Sequence, residues 1–500
     1  MSQNSQSPQQ MSLSLTSSLA ENLNYLHATL QNCDDFVYRP FKTAAHSSGM
    51  LIYSNLMTDL NFISQTILPA LYRLNEAPKL GFFSEAIRLA LPFLPESTLT
   101  LWSDVIIHLT SGDTLILIEG VSEAFLVSTV KIEHRPIDRS ETEPIIRGPQ
   151  EAFTEPLNPN LAILRARLKN PNLKINLVKL GDESHTSVAL VYLEGVIQAP
   201  LLEEIRNRLT GIKLRSVQES GFLSEFLVQN TYTPFPLVQS TERPDKVVAA
   251  VLEGRAVILT EGSPFAIIMP TTFWSFFQSP DDYFQHFMVG SVIRLIRYLS
   301  YILAATLPAL YLSLTVFQPD MLPIRFIFSL SAARENVPIP TVIEILIMLI
   351  ALDIFREAAL RLPRTIGPAI GIVGALVLGE SAVSAGIISP VMVIILALTA
   401  ITTFAVPTED LRSTVRIISY FLVLLSSVLG LYGFLLGVSA ILLHASSLQS
   451  LGVPYLSPVT SLHWKEWNDV FIRPPWQILS HKKQSLEPQE SLNTGKGKKQ

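Results

Sequence analysis

The sequence predicts an α/β soluble region of two tandem similar subdomains, followed by an α-helical polytopic membrane domain. Three observations carry this. Of 500 residues, 48% are hydrophobic and only 16% charged, against about 25% charged in an average soluble chain. The long apolar runs lie almost entirely after residue 290, whereas residues 1–285 have ordinary globular composition. Within that first part, a glycine-bounded strand pattern occurs twice, about 140 residues apart. The asymmetry excludes both a purely soluble enzyme and a transporter embedded throughout. A net charge of −5 gives no basic field suited to nucleic acid. The one cysteine, Cys33, excludes an internal disulfide and any cysteine-rich metal site, and fits a reducing compartment.

Residues 1–35 are Ser-, Gln- and Asn-rich and read as a disordered polar head. No basic start followed by an apolar core is present there, so the first hydrophobic span acts as the membrane signal and the N-terminal part stays cytoplasmic. The first α/β subdomain spans 36–135. It contains Met50-Leu51-Ile52-Tyr53 and then Thr114-Leu115-Ile116-Leu117-Ile118-Glu119-Gly120. The second, with the approach to the membrane, spans 172–290. It contains Leu190-Val191-Tyr192-Leu193-Glu194-Gly195, a helix Leu201–Leu209, and Ala256-Val257-Ile258-Leu259-Thr260-Glu261-Gly262. Short β-branched runs closed by glycine are the mark of buried strands followed by turns, and their recurrence reads as an internal repeat.

A Pro- and charge-rich bridge, 136–171, joins the copies; it includes a short amphipathic helix with a basic face, Leu161–Leu168. A second bridge carries Thr241-Glu242-Arg243-Pro244-Asp245. Arg147, Glu151, Arg165, Arg167, Glu242, Arg243 and Asp245 read as structural ion pairs or protomer contacts rather than catalysis. The chain has no HxxH or HExxH pairing and no Gly-x-Gly-x-x-Gly. No cofactor, no metal and no enzymatic activity are expected.

Residues 291–446 form the membrane domain of four or five helices, with a C-terminal tail at 447–500. Apolar stretches run 295–317, 339–358, 366–388, 390–406 and 415–444, and a helix needs about 20 residues to cross the hydrocarbon core. The third and fourth read as two spans, or as one span plus a re-entrant segment. Arg294 and Arg297 before the first stretch, Arg356, Arg361 and Arg364 after the second, and the lysine-rich tail all suit the cytoplasmic side and an even count.

Polar residues inside these stretches are the functional candidates. Glu344, Asp353, Arg356, Glu357 and Arg361 form an intramembrane polar cluster; at helical spacing the last four read as an interfacial ion-pair group. A charge at mid-bilayer costs about 2.5–3.5 kcal/mol even on lenient scales, so Glu344 and Glu380 must face protein or water. A polar pathway and an inter-helix bond stay open for both. The third stretch is crowded with small residues at three- and four-residue spacing. That suits tight helix packing, and it also suits a helix lining a water path, with Gly374, Leu378, Glu380, Ser381 and Ser384 as pore-lining candidates.

Several motifs then make the chain recognisable. They are Arg147-Gly148-Pro149 with Phe153-Thr154-Glu155, Asn160-Leu161 with Arg165-Ala166-Arg167, Thr241-Glu242-Arg243-Pro244-Asp245, and Leu252-Glu253-Gly254-Arg255. Further on come Phe277-Gln278-Ser279-Pro280-Asp281-Asp282-Tyr283, Arg356-Glu357-Ala358 with Arg361-Leu362-Pro363, and Ile372-Val373-Gly374-Ala375-Leu376-Val377. The last two are Ala385-Gly386-Ile387-Ile388-Ser389-Pro390 and Gly452-Val453-Pro454-Tyr455-Leu456-Ser457-Pro458. Over about residues 34–476 the sequence resembles the A subunit of GerA-type nutrient germinant receptors of endospore-forming bacteria.

The resemblance implies a multi-pass protein of the spore inner membrane. It implies partnership with a permease-like B subunit and a lipoprotein C subunit, and homo-oligomerisation into an ion-conducting channel that triggers germination. Ala359 stands where such sequences usually carry Gly, and Glu380 where Gln is common. A ring of Glu380 carboxylates would favour cations. The alternative is a scaffold subunit that transmits the signal without conducting. A secondary transporter is disfavoured by short loops and the lack of an inverted repeat.

Overall fold

The computed structural model describes residues 14–74, 99–131, 142–145, 147–361, 376–460 and 467–479. The chain divides into two compact units. The first comprises 1–144, 149–227 and 240–270; the second comprises 145–148, 228–239 and 271–500. Residues 228–239 and 271–290, expected in the second α/β subdomain, thus belong with the helical unit.

The first unit is mixed α/β. Its elements are α1 (Leu19–Thr29), β1 (Phe36–Lys42), β2 (Ser48–Ser54), a helical run α2 over 60–72 with a π-turn at Ile63–Ile67, α3 (Trp102–Thr110), β3 (Thr114–Ile118) and β4 (Phe125–Val127). Then come α4 (Leu157–Arg167), β5 (Leu173–Leu180), β6 (Thr186–Leu193), α5 (Ala199–Gly211), α6 (Ser220–Leu227), β7 (Gln239–Thr241), α7 (Pro244–Leu252), β8 (Ala256–Thr260) and β9 (Ala266–Met269). One sheet has the order β1-β2-β3-β4 and the other β5-β6-β8-β9-β7. β3 is buried at every position, as a strand covered on both faces must be. Ile116 and Ile118 pack with Ile63, Ile67 and Leu71 of α2. Leu115 and Leu117 pack with Leu19 and Leu26 of α1 and with Val105 and Leu109 of α3.

The two sheets share registers. Gly49 faces Ile118 and Ile52 faces Leu115 in the first; Val188 faces Thr260 and Val191 faces Val257 in the second. The helix entering each copy is held in the same way. The Glu119 carboxylate accepts the Leu19 N–H at 3.0 Å, and the Glu261 carboxylate accepts the Leu157 N–H at 3.0 Å. Each carboxylate therefore meets orphan donors and the positive end of a helix. Buried Asn22 donates to the Thr16 carbonyl at 2.7 Å, and Asn160 to that of Thr154 at 2.6 Å.

These pairs correct two boundaries. Within the head expected to be disordered over 1–35, residues 19–29 form α1, whose Leu19 and Leu26 are buried. The expected bridge 136–171 contains α4, which packs on the second sheet through Leu157, Leu161 and Leu164. Polar composition hid α1 because its apolar positions are few, though they recur at helical spacing.

Cys33 is buried, and burial pushes its thiol above the ordinary cysteine value. A maleimide reagent at mildly alkaline pH is therefore expected to leave Cys33 unmodified in the folded chain and to react fully after denaturation. Rapid modification of the native chain, followed by mass spectrometry, would refute this.

The second unit is helical. It contains α8 (Phe287–Leu312, continued by a π-turn Ser313–Phe317), α9 (Ile324–Arg334), α10 (Thr341–Arg361), α11 (Pro390–Phe404) and α12 (Glu409–Ser447), then a two-stranded hairpin β10 (Gln449–Ser450) and β11 (Val453–Pro454). Two helical runs, 287–317 and 409–447, are long and apolar enough to cross a membrane by length and composition. α10 is a continuous helix of 21 residues whose apolar run is broken by charged residues, and α11 has only 15 residues.

α12 is folded on itself, which the single expected stretch 415–444 did not anticipate. Gly430 has φ 59° and ψ −137°, a conformation essentially reserved for glycine. A Cβ at Gly437 would lie 2.7 Å from a Leu422 methyl, and one at Gly433 would strike the Leu425 carbonyl. Near the two ends of α12, Thr414 donates to the Pro234 carbonyl at 2.6 Å and His444 shares a hydrogen bond with Thr233 at 2.9 Å. The element is an antiparallel hairpin whose arms, 409–429 and 431–447, are roughly 31 and 25 Å long at 1.5 Å per residue. The turn is braced by the end of α8: Phe317 packs on Gly430, and the Gln318 side chain accepts the Leu431 N–H at 3.2 Å.

Candidate functional site in the helical unit

Small residues and a helix break build the candidate segment. A π-helical turn, Leu376–Ser381, runs into a short α-turn, Ala382–Ser384. π-turns are rare and often mark functional positions. Gly386 closes the segment with φ +66°, its N–H donating to the Val383 carbonyl, and Ile387 donating to that of Ala382. Ser389 then caps α11 through a bond from the Met392 N–H, with Pro390 at the first helical position. Glu380, Ser381 and Ser384 are all exposed, and the Ser384 hydroxyl donates to the Glu380 carbonyl. Gly374 lies outside the described residues; Leu378 lies within the π-turn. Exposed apolar side chains crowd the same unit, among them Ile347, Ile354, Ile394 and Ile401. Such helices present apolar rather than polar outer faces.

Glu344 is not in that exposed set. Its side chain is 0% exposed. One carboxylate oxygen accepts both the Ser389 N–H and the Ser389 hydroxyl, each at 2.7 Å, while Arg334 stands 3.7 Å from the other. Arg334 also donates to Thr341. Glu344 therefore makes an inter-helix bond: it ties α10 to the N-terminus of α11, where a negative charge is favourable. Removing it as Glu344→Ala would strand the buried Ser389 donors. A loss of about 1–3 kcal/mol is expected, read as a lower melting temperature in detergent, with Glu344→Gln losing less. Equal losses for the two variants would contradict the capping role.

The remaining cluster splits. Asp353 accepts the Tyr420 hydroxyl at 2.8 Å and faces Arg356 at 3.8 Å and Arg416 at 3.9 Å. The Arg356 guanidinium lies over the Phe404 ring, 5.3 Å from its centre. Glu357 and Arg361 form a separate exposed pair at 2.6 Å, of the kind that contributes little to stability.

The residues expected at protomer contacts lie elsewhere, and two of them are corrected. Arg165 is 0% exposed and makes a two-pronged pair with Asp35, at 2.9 and 3.1 Å, while also donating to the Leu173 carbonyl. Arg243 is 1% exposed and pairs with Asp245 at 2.6 Å and with the Pro149 carbonyl at 3.1 Å. Neither guanidinium has surface to offer a second chain. The basic face read on α4 is turned inward at Arg165 because Asp35 gives it a buried partner. Arg167 and Glu151 pair at 2.6 Å and stay partly exposed. The Glu242 carbonyl accepts the Phe153 N–H at 2.8 Å. Arg147, in the second unit, is exposed, and its N–H points at Asp281 at 3.4 Å.

A second polar network was missed in the sequence. Asp282, 1% exposed, accepts Arg294 at 3.2 Å and Arg297 at 2.8 Å; Arg294 also donates to the Asp469 carbonyl at 2.6 Å. Arg294 and Arg297 are thus neutralised in pairs rather than standing as free flank charges. Their i, i+3 spacing beside Asp281-Asp282 was the available signal. Among the described residues, no group of three or more His, Cys, Asp or Glu side chains is placed to hold a metal ion.

Comparison with known proteins gives this arrangement its context. The family described as Bacillus/Clostridium GerA spore germination protein matches residues 24–485. The chain belongs to this family. Among its GerA relatives, spore germination protein KA of Bacillus subtilis (strain 168) is 36% identical over 484 residues, 96% of this chain and 89% of that protein. The uncharacterized membrane protein YfkQ of the same organism is 35% identical over 469 residues, 94% of this chain and 91% of that protein. The crystal structure of the N-terminal domain of the A subunit of the Bacillus megaterium spore germinant receptor GerK3 shares 30% identity; it covers 53% of this chain and 99% of that domain, with a TM-score of 0.43. The motifs around Arg147, Arg165, Arg243 and Arg356 all lie within the GerA match, and two of those four arginines are buried structural residues in the present fold.

Proposed function

We propose that this chain is the membrane A subunit of a nutrient germinant receptor. In this reading, copies of it assemble in the spore inner membrane into a cation-conducting channel lined by the segment 376–388, with the N-terminal region in the cytoplasm. A permease-like B subunit and a lipoprotein C subunit complete the receptor. The helical unit is polytopic: α8, α10, the segment 376–404 and the α12 hairpin are its membrane elements.

One observation carries the reading. Glu380, Ser381 and Ser384 are exposed together on a single irregular helical segment, in a unit whose other outward side chains are largely apolar. A carboxylate facing lipid would cost about 2.5–3.5 kcal/mol or more. A water-filled path bounded by copies of the same segment removes that cost and gives the charge a role. Membership of the GerA family supplies the germination context.

Glu380→Gln tests it. In planar bilayers the unaltered protein is expected to pass cations in preference to anions. The variant should lose most of that preference, because the ring charge that attracts cations is gone. Unchanged selectivity would remove Glu380 from the conducting path.

A further inference from the structure

We infer that residues 470–479 form an interfacial anchor, seated on an anionic lipid surface at the level where α8 begins. The inference rests on the membrane reading above and adds a contact that reading does not contain.

The segment is locked to the first turns of α8 by Arg473, whose side chain is 3% exposed. The Arg473 N–H donates to the Ser291 hydroxyl at 3.1 Å. Its guanidinium donates to the carbonyls of Tyr283 at 3.3 Å and Gln285 at 3.4 Å. That group also lies over the rings of Tyr283, at 5.8 Å, and Trp476, at 5.4 Å. Just before it, Asp469 accepts Arg294 at 3.2 Å.

With Arg473 turned inward, its neighbours turn outward. Ile472, Trp476 and Ile478 are exposed, Trp476 by 57%. The hydrogen bond to Ser291 seats Arg473 on the turn of α8 that carries Met288 and Val292, two exposed apolar residues. Large apolar side chains gathered on one surface mark a contact face. The indole N–H of Trp476 already donates to the Tyr283 carbonyl at 3.3 Å, so its outward part is the apolar ring. An aromatic ring with one satisfied polar corner is the type that concentrates at the boundary between headgroups and acyl chains.

Two features select lipid as the occupant. First, the face is continuous with the exposed apolar side of α8, which runs on through Ile296 and Leu299. Second, Lys482 and Lys483 follow directly in the sequence, a charge suited to anionic headgroups. The α12 hairpin is consistent with the chain's return to this level, since its turn at Gly430 lies against Phe317 at the far end of α8 and both its ends lie together near 233–234.

The test uses the full-length chain in vesicles of phosphatidylcholine and phosphatidylglycerol, with Cys33 replaced by serine. A polarity-sensitive dye is attached at Ile478→Cys and, separately, at Leu299→Cys as the α8 control. The expected result is strong quenching of both positions by spin-labelled lipid and several-fold protection of Ile478→Cys from aqueous iodide. Trp476→Ser should reduce the lipid quenching at 478, as should replacing phosphatidylglycerol by neutral lipid. Free iodide access at 478, with 299 still quenched by lipid, would overturn the anchor and leave the membrane reading standing. Protection from iodide without lipid quenching would also overturn it, in favour of a second copy or a protein partner covering the face. Loss of lipid quenching at both positions would overturn the anchor together with the membrane reading. Equal quenching in neutral and anionic vesicles would remove anionic lipid as the occupant.

Discussion

Replacing Gly430 by alanine is expected to open the α12 hairpin, with a loss of about 2–6 kcal/mol. Two terms combine. A side chain at φ 59°, ψ −137° is strained by about 1–3 kcal/mol. The new methyl would also lie 2.6 Å from the Phe317 Cβ, a clash with the α8 terminus of the kind that costs a further 1–3 kcal/mol or so. Phe317→Ala in the same chain removes the contacts with the Phe317 Cγ and ring, 2.7 and 3.1 Å away, but keeps the Cβ, so it should recover part of the clash term and leave the backbone term. Stability in detergent, followed by helical circular dichroism under denaturant, reads both. If Gly430→Ala were as stable as the unaltered chain, α12 would be a continuous helix and the hairpin would be wrong.

The second large effect lies in the first unit. Arg165→Ala leaves the Asp35 carboxylate buried without its partner, and breaking a buried pair in this way typically costs about 3–5 kcal/mol. Asp35 is 1% exposed in the intact pair, so water cannot replace the guanidinium cheaply. Arg165→Met combined with Asp35→Leu removes both charges and is expected to recover most of the loss, because an apolar pair of similar volume avoids the desolvation penalty. Urea unfolding of the full chain distinguishes the cases. Equal losses in the single and double variants would show that Arg165 acts through packing over Phe36, whose ring lies 5.3 Å from the guanidinium, rather than through charge.

Much of the α/β architecture was legible because its signals are local. β3 and β8 are short β-branched runs ended by Glu-Gly, and that dipeptide both turns the chain and places the carboxylate that receives the helix with which the same copy begins. Glu380 and the serines near it were legible as isolated polar residues among small ones. Three features were not, each for a physical reason. The inward turn of Arg165 depends on Asp35, 130 residues away, and spacing carries no information about such a partner. The Asp282–Arg294–Asp469 network depends on the C-terminal segment returning to the start of α8. The α12 fold-back was within reach. The stretch 415–444 is longer than one crossing needs, and Gly430, Gly433 and Gly437 sit at its middle. The spacing of Gly433 and Gly437 equally describes a small-residue face on a straight helix; the Gly430 backbone angles and the approach of Gly437 to Leu422 separate the two.

The central claim is that copies of this one chain build the conducting path. The most direct measurement is single-channel current from the purified full-length protein in lipid bilayers, recorded alongside the mass of the assembled particle. The account predicts a closed ring of several copies that passes cations, with currents altered by Glu380→Gln. A particle of one copy that carries no current, alone and with the other receptor subunits present, would contradict it.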